Sequence, residues 1–214
     1  PFLTLYHWDL PQILQDQGGF SNDKFPDWFL EYTKVVAAKF GDRVKHFITF
    51  NEPQVIFING FAPGVSYTIK EQLARIHNML LAHGMSAKEL HKIPHSKIGY
   101  ASCGVVPIPA SDEEEDYQAS KEKFFSINPN YPTDSTTLFA DPIFFGKYPD
   151  EYYVLFKDIL PTIKENDMQI ISEPLDFWAQ NCYDGDFYKA TKDEKGLIKA
   201  EIVERDWGKP LTSI

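Results

Sequence analysis

Cysteine is scarce. Cys103 and Cys182 are the two in 214 residues, too few to form a disulfide framework, and a reducing compartment, the cytoplasm, is the expected location. Basic residues are outnumbered, 21 Lys and Arg against 31 Asp and Glu, for a formal net charge of −10. Without a cationic face there is nothing to hold a phosphate backbone, which removes nucleic acid as a partner. No uninterrupted apolar run approaches the ~20 residues needed to cross a bilayer, so no membrane partner is expected. Asn-x-Ser/Thr acceptors are absent. Metal-ligand spacing is missing too: His91 and His95 stand one helical turn apart, but Pro94 between them breaks the helix such a clamp requires, and neither metal nor cofactor is expected.

What the sequence has in quantity is aromatic side chains, 4 Trp, 11 Tyr and 17 Phe within a 43% hydrophobic content. They suffice to fill a core and are also the residues that stack on flat ligands. An apolar run, Phe2 to Tyr6, predicts a buried strand closed by His7, Trp8 and Asp9 ahead of Pro11. Trp28, Phe29, Tyr32, Val35, Val36 and Phe40 recur at helical spacing, with Gly41 as the C-cap. Phe47 to Phe50 is a second strand; Pro53 cannot donate to a ladder, which puts Asn51 and Glu52 where that strand gives out. From Ile69 to Leu90 the helical pattern returns through Leu73, Ile76, Leu80, Leu81 and Leu90. A third strand over Lys97 to Val106, helical signals over Glu113 to Phe125 and around Asp150 to Leu160, and a fourth strand over Leu175 to Tyr183 follow. The acidic run Asp112 to Asp116 reads as a solvated helix start. Beyond Tyr183 the polar stretch predicts a surface hairpin turning at Lys195 and Gly196. Strands and helices in alternation imply parallel strands joined by crossovers, hence an α/β layer or barrel.

Three of the four strands close on polar or aromatic residues. In parallel α/β folds the carboxyl ends of strands meet on one rim, where a barrel builds its active site. Glu52 stands out as a proton donor with an apolar strand behind it, because partial burial would raise its pKa and keep it protonated. A carboxylate paired with a cation such as Arg43 fits the same position, and the residues alone leave both open.

The motifs TLYHWDLPQ, FGDRVKHFITFNEP, APG at Ala62 to Gly64, the DP and GKYPD between Asp141 and Asp150, and PLDFWAQNCY together resemble glycoside hydrolase family 1, the β-glucosidase family. The resemblance covers essentially the whole chain. It implies a (β/α)8 TIM barrel, with these segments as about strands three to six, so that residues 1–214 form part of a single catalytic domain. It further implies a retaining β-glycosidase acting on a small-molecule β-glucoside, with Glu52 as acid/base and Asn51 holding the sugar 2-hydroxyl. His7 and Trp8 then line the sugar pocket, Asn181 is a site asparagine, and Tyr183 supports the nucleophile. Cys182 departs from the tyrosine usual between those two.

The family's nucleophile sits in a Glu-Asn-Gly motif that does not occur here. Glu173, in SEP, echoes NEP but precedes its strand and is not expected to be catalytic. The expectation is therefore of a partial sequence whose isolated 214 residues are inactive. Phospho-β-glycosidases share the fold and the acid/base, and a catalytically dead sugar-binding member is the alternative of another class. HWDLPQ and an intact Glu52 favour the β-glucosidase.

Overall fold

In the computed structural model residues 1–58, 66–194 and 198–204 are described. The Ala62 to Gly64 motif and the turn at Lys195 and Gly196 lie outside them. The described residues separate into two compact units, one of Pro1–Cys103 and Ile127–Asn181, the other beginning at Gly104 and resuming at Cys182.

The first unit is built on strands β1 (Phe2–Tyr6), β2 (His46–Asn51), β3 (Lys97–Cys103) and β5 (Phe177–Asn181), paired in the order β1-β2-β3-β5. Every pairing is parallel, with Leu3 opposite Phe47, Phe47 opposite Ile98, and Gly99 opposite Phe177. Apolar runs without alternation predict this, since strands of a parallel sheet are covered on both faces. Phe47, Phe50, Ile98 and Tyr100 are fully buried, each contributing about 1.5–3 kcal/mol to folding.

The crossovers carry α1 (Gln12–Gln15), α2 (Phe25–Phe40), α3 (Pro53–Phe57), α4 (Ile69–Leu90), α6 (Thr137–Phe145), α7 (Asp150–Leu155) and α8 (Asp167–Ile171). Thr68 and Glu71 form a capping box that starts α4. Leu73, Ile76, Leu80 and Leu90 are buried as their spacing predicts. Buried polar residues tie α4 to its surroundings: Thr49 Oγ1 meets His83 Nδ1 at 2.7 Å, and His77 bridges Tyr148 Oη and Asp167 Oδ2 at 3.0 Å each. Burial pushes the His83 imidazole down to about 3. It lowers His77 as well, against the pull of Asp167.

The second unit holds β4 (Val106–Pro109), α5 (Glu114–Phe125), β6 (Gly185–Lys192) and β7 (Ile198–Val203). β6 pairs parallel with β4 and antiparallel with β7, which is the expected hairpin. The acidic run does start a helix, with Glu114, Glu115 and Asp116 in its first turn. Asp116 does more than face solvent, accepting from Ser111 Oγ at 2.7 Å and from the Ala190 N–H of β6 at 2.6 Å.

Some expectations change. The third strand stops at Cys103 because Gly104, with φ of 154°, takes the chain out of the sheet. The fourth is shorter than Leu175 to Tyr183, and α7 ends at Leu155. α2 buries Phe25, Phe29, Thr33 and Val36, leaving Tyr32, Val35 and Phe40 exposed, because Thr33 meets Ser86 of α4 through hydroxyls 2.9 Å apart. Gly41 ends α2 in a right-handed conformation, and what requires glycine there is close approach: a Cβ would lie 3.0 Å from Ile93 and 2.6 Å from the Ala37 carbonyl. Among the described residues no helix is long and apolar enough to cross a membrane.

Candidate active site

The carboxyl ends of β1, β2 and β5 bring four polar side chains into one hydrogen-bonded row. Asn181 Nδ2 donates to Glu52 Oε1 at 2.7 Å and to Asn51 Oδ1 at 3.0 Å, and Asn51 Nδ2 reaches His7 Nε2 at 3.1 Å. The amide orientations follow from one another. With its oxygen taken by Asn181, Asn51 turns its amide nitrogen toward His7 Nε2. Asn51 and Glu52 are 7% and 5% exposed, whereas His7 is exposed and Asn181 half-buried. The row thus runs from the surface to a buried carboxyl.

Local backbone explains the aim of Glu52. Between Ile48 and Asn51 the register of β2 against β3 slips, Ile48 facing Gly99 and Asn51 facing Ala101, so one extra residue is accommodated. Such bulges bend a strand and redirect the side chains at its end. Glu52 follows in a left-handed conformation, φ 45° and ψ 50°, before Pro53 opens α3. Its N–H is fixed to the Ala101 carbonyl at 2.8 Å. Trp8, at the end of β1, also has positive φ, 77°. For residues with a Cβ such conformations cost about 1–3 kcal/mol and persist where surrounding structure enforces them, commonly at functional sites.

Trp8 packs edge-on against the His7 ring, centroids 5.5 Å apart, and is 37% exposed. Tyr183 belongs to the second unit and is 86% exposed. Arg43 pairs with Asp42 at 2.9 Å rather than with Glu52, which removes Arg43 as an ion-pair partner for that carboxylate. Glu173 lies against His91 at 3.4 Å and His91 also meets Asp176 at 3.2 Å, so this histidine is occupied by carboxylates. Among the described residues no group of three or more His, Cys, Asp and Glu could hold a metal ion. A cavity of about 290 Å³ opens elsewhere in the unit, lined by Leu5, Asp9, Leu10, Trp28 and Tyr32 among others and by none of the row.

The sequence reading missed Gln54, Ser102 and Cys103. Gln54 and Ser102 are buried and joined at 2.6 Å. Burial, with the neighbouring Glu52 carboxylate, pushes the Cys103 thiol up to about 12, so it stays S–H. The signal was a polar Ser-Cys pair before Gly104, hidden inside the strand expected over Lys97 to Val106. Chemically, the row presents a carboxyl whose Oε1 is held by an amide. A carboxyl so placed is a group that can exchange a proton with one bound at the rim.

The family model for Glycosyl hydrolase family 1 matches residues 1–206. The chain is 40% identical over 212 residues to a 1,4-beta-D-glucan glucohydrolase from Thermotoga neapolitana, covering 96% of this chain and 48% of that protein. Beta-glucosidase A from Thermotoga maritima is 39% identical over 212 residues, with 96% and 45% covered. The solved structure of the family 1 b-glucosidase from Thermotoga maritima superimposes with a TM-score of 0.77 at 36% identity, over 96% of this chain and 46% of that one. The Thermotoga maritima beta-glucosidase in complex with deoxynojirimycin gives the same TM-score, 0.77, at 36% identity and the same coverages of 96% and 46%. The chain spans about half the length of the curated relatives it matches. Its parallel sheet and crossovers are those of part of a (β/α)8 barrel.

Proposed function

The chain belongs to glycosyl hydrolase family 1, and on that premise we propose that it carries the acid/base half of a retaining β-glucosidase, with Glu52 as the acid/base. The observation that carries this reading is the buried Glu52 carboxyl at the end of β2, strained into a left-handed conformation and held by Asn181 at 2.7 Å. Relatives named as glucan glucohydrolase and beta-glucosidase support β-D-glucosides, cellobiose-like or aryl, as substrates. Both units are read as pieces of one catalytic domain. The cysteine-poor composition supports a cytoplasmic setting.

In the first half of the reaction the Glu52 proton passes to the glycosidic oxygen as the bond to the anomeric carbon breaks, while a second carboxylate attacks that carbon and forms a glycosyl-enzyme. In the second half Glu52, now ionised, removes a proton from water as the water displaces that carboxylate. Asn51 grips the 2-hydroxyl at the oxocarbenium-like transition state, His7 and Trp8 wall the sugar, and Tyr183 steadies the nucleophile. The two carboxyls must stand about 5–5.5 Å apart for this route. The sequence contains no Glu-Asn-Gly nucleophile motif, so the 214 residues by themselves are expected to turn over no aryl β-glucoside above background.

In the complete enzyme Glu52→Gln should lower cellobiose hydrolysis by at least about 10²-fold, the usual worth of a positioned proton donor. An activated aryl glucoside should still glycosylate the variant, and azide should restore turnover by releasing β-glucosyl azide. Unchanged cellobiose hydrolysis would refute the assignment, as would robust turnover by the purified 214-residue chain.

A further inference from the structure

Gln54 sits in the first turn of α3, two residues past Glu52, and is 5% exposed. Nothing about an apolar first turn calls for an amide, and burying one costs free energy unless its groups are bonded. Here they are bonded to the end of β3. Gln54 Nε2 donates to Ser102 Oγ at 2.6 Å, the Ser102 hydroxyl donates on to the Cys103 carbonyl at 3.4 Å, and the Cys103 thiol donates back to Gln54 Oε1 at 3.8 Å. With the Glu52 N–H on the Ala101 carbonyl at 2.8 Å, three successive residues of β3 hold both Glu52 and the turn that follows it.

We propose that Gln54 is a positioning residue for the acid/base, clamping the first turn of α3 to the end of β3 so that Glu52 stays left-handed and its carboxyl keeps one place on the rim. Left to itself a glutamate relaxes toward the right-handed or extended regions, and its Cβ moves off line. The clamp opposes that relaxation from the far side of Pro53, where Asn181 has no grip. Because the thiol stays protonated, its S–H remains a donor to Gln54 and the ring stays closed. The inference rests on the reading of Glu52 as acid/base.

The test uses the complete enzyme, steady-state kinetics on cellobiose, and a series of aryl β-glucosides graded by leaving-group ability. Gln54→Leu removes both arms of the clamp and Ser102→Ala removes one without changing shape much. In both, kcat/KM for cellobiose should fall by about 10- to 100-fold, the scale of a displaced catalytic group. A 2,4-dinitrophenyl glucoside, which leaves without protonation, should change less than about threefold. The leaving-group dependence should steepen and the pH profile of kcat/KM should shift. A uniform loss across the series, or no loss in Ser102→Ala if Gln54→Leu does not fold, overturns the positioning role. Glu52→Gln run on the same series separates the two ideas: if it fails to steepen the dependence, the acid/base reading has failed. If it steepens and the clamp variants do not, the clamp has failed.

Discussion

At the scale of single residues, Asn181 is the member of the row that joins the Glu52 carboxyl to the rest. Its Nδ2 serves both Glu52 and Asn51, so Asn181→Ala leaves two acceptors without their donor. A buried polar group so deprived costs about 1–3 kcal/mol. In the complete enzyme kcat/KM for cellobiose should therefore drop by roughly 10- to 100-fold, since 1.4 kcal/mol is tenfold. Steady-state kinetics check this; a loss below about twofold would mean that the contact is incidental. His7, Asn51, Glu52 and Asn181 were legible beforehand because each is a polar residue where an apolar run ends. That their side chains touch was not legible, since Asn51 and Asn181 meet across 130 residues of sequence. Nor was the left-handed backbone at Glu52, which is enforced by the slipped register and by β3 rather than by any local residue preference.

Among the elements, the four strands of the parallel sheet and the long helices α2, α4 and α5 could be read from periodicity. α6 could not, because Pro142 stands inside it, and α8 is too short for a period to register. The buried face of α2 was misplaced because a helix can close against its neighbour through small hydroxyls. Thr33 and Ser86 do so in place of the larger Tyr32 and Val35. A similar close approach joins α4 to α8, where a methyl group on Gly84 would collide with the backbone of Ile170 and Ile171. Gly84→Ala should destabilise the protein by about 2–4 kcal/mol, since backbone on both sides leaves no easy way to give, despite alanine's better helix propensity. Urea denaturation measures it, and a neutral or stabilising result would show that α8 yields freely.

For the molecule as a whole, acid stability follows from the buried histidines. His83 is fully buried, and burial holds its imidazole at about 3, below the ordinary value of 6.5. The unfolded chain therefore binds a proton that the folded one refuses. The stabilising contribution is complete above about pH 6.5 and drains away as pH falls toward the folded value. His77, lowered by burial, acts in the same direction. Asp176, which burial alone would raise, is held at about 2 by Lys97, the Ile98 N–H and His91, and loses its stabilising contribution only at still lower pH. Urea midpoints should thus decline from pH 7.5 to 4.5, and His83→Gln should shrink the difference between them. An undiminished difference in the variant would assign the acid sensitivity elsewhere.

The link from Asn181 to Glu52 spans 129 residues, and this has a kinetic consequence. Closing so long a loop is slow and comes after local structure has formed. β1, β2 and α3 can assemble as soon as the first part of the chain is available, but the carboxyl gains its amide partner only when β5 docks beside β3. During synthesis Glu52 therefore gains its Asn181 partner late, after β1, β2 and β3 have formed. In the finished protein the same order runs backwards: an opening that releases β5 unhooks the Glu52 carboxyl from Asn181 while β1 and β2 stay paired. Amide hydrogen exchange should find the Trp178 to Asn181 amides exchanging ahead of those of Phe47 to Phe50.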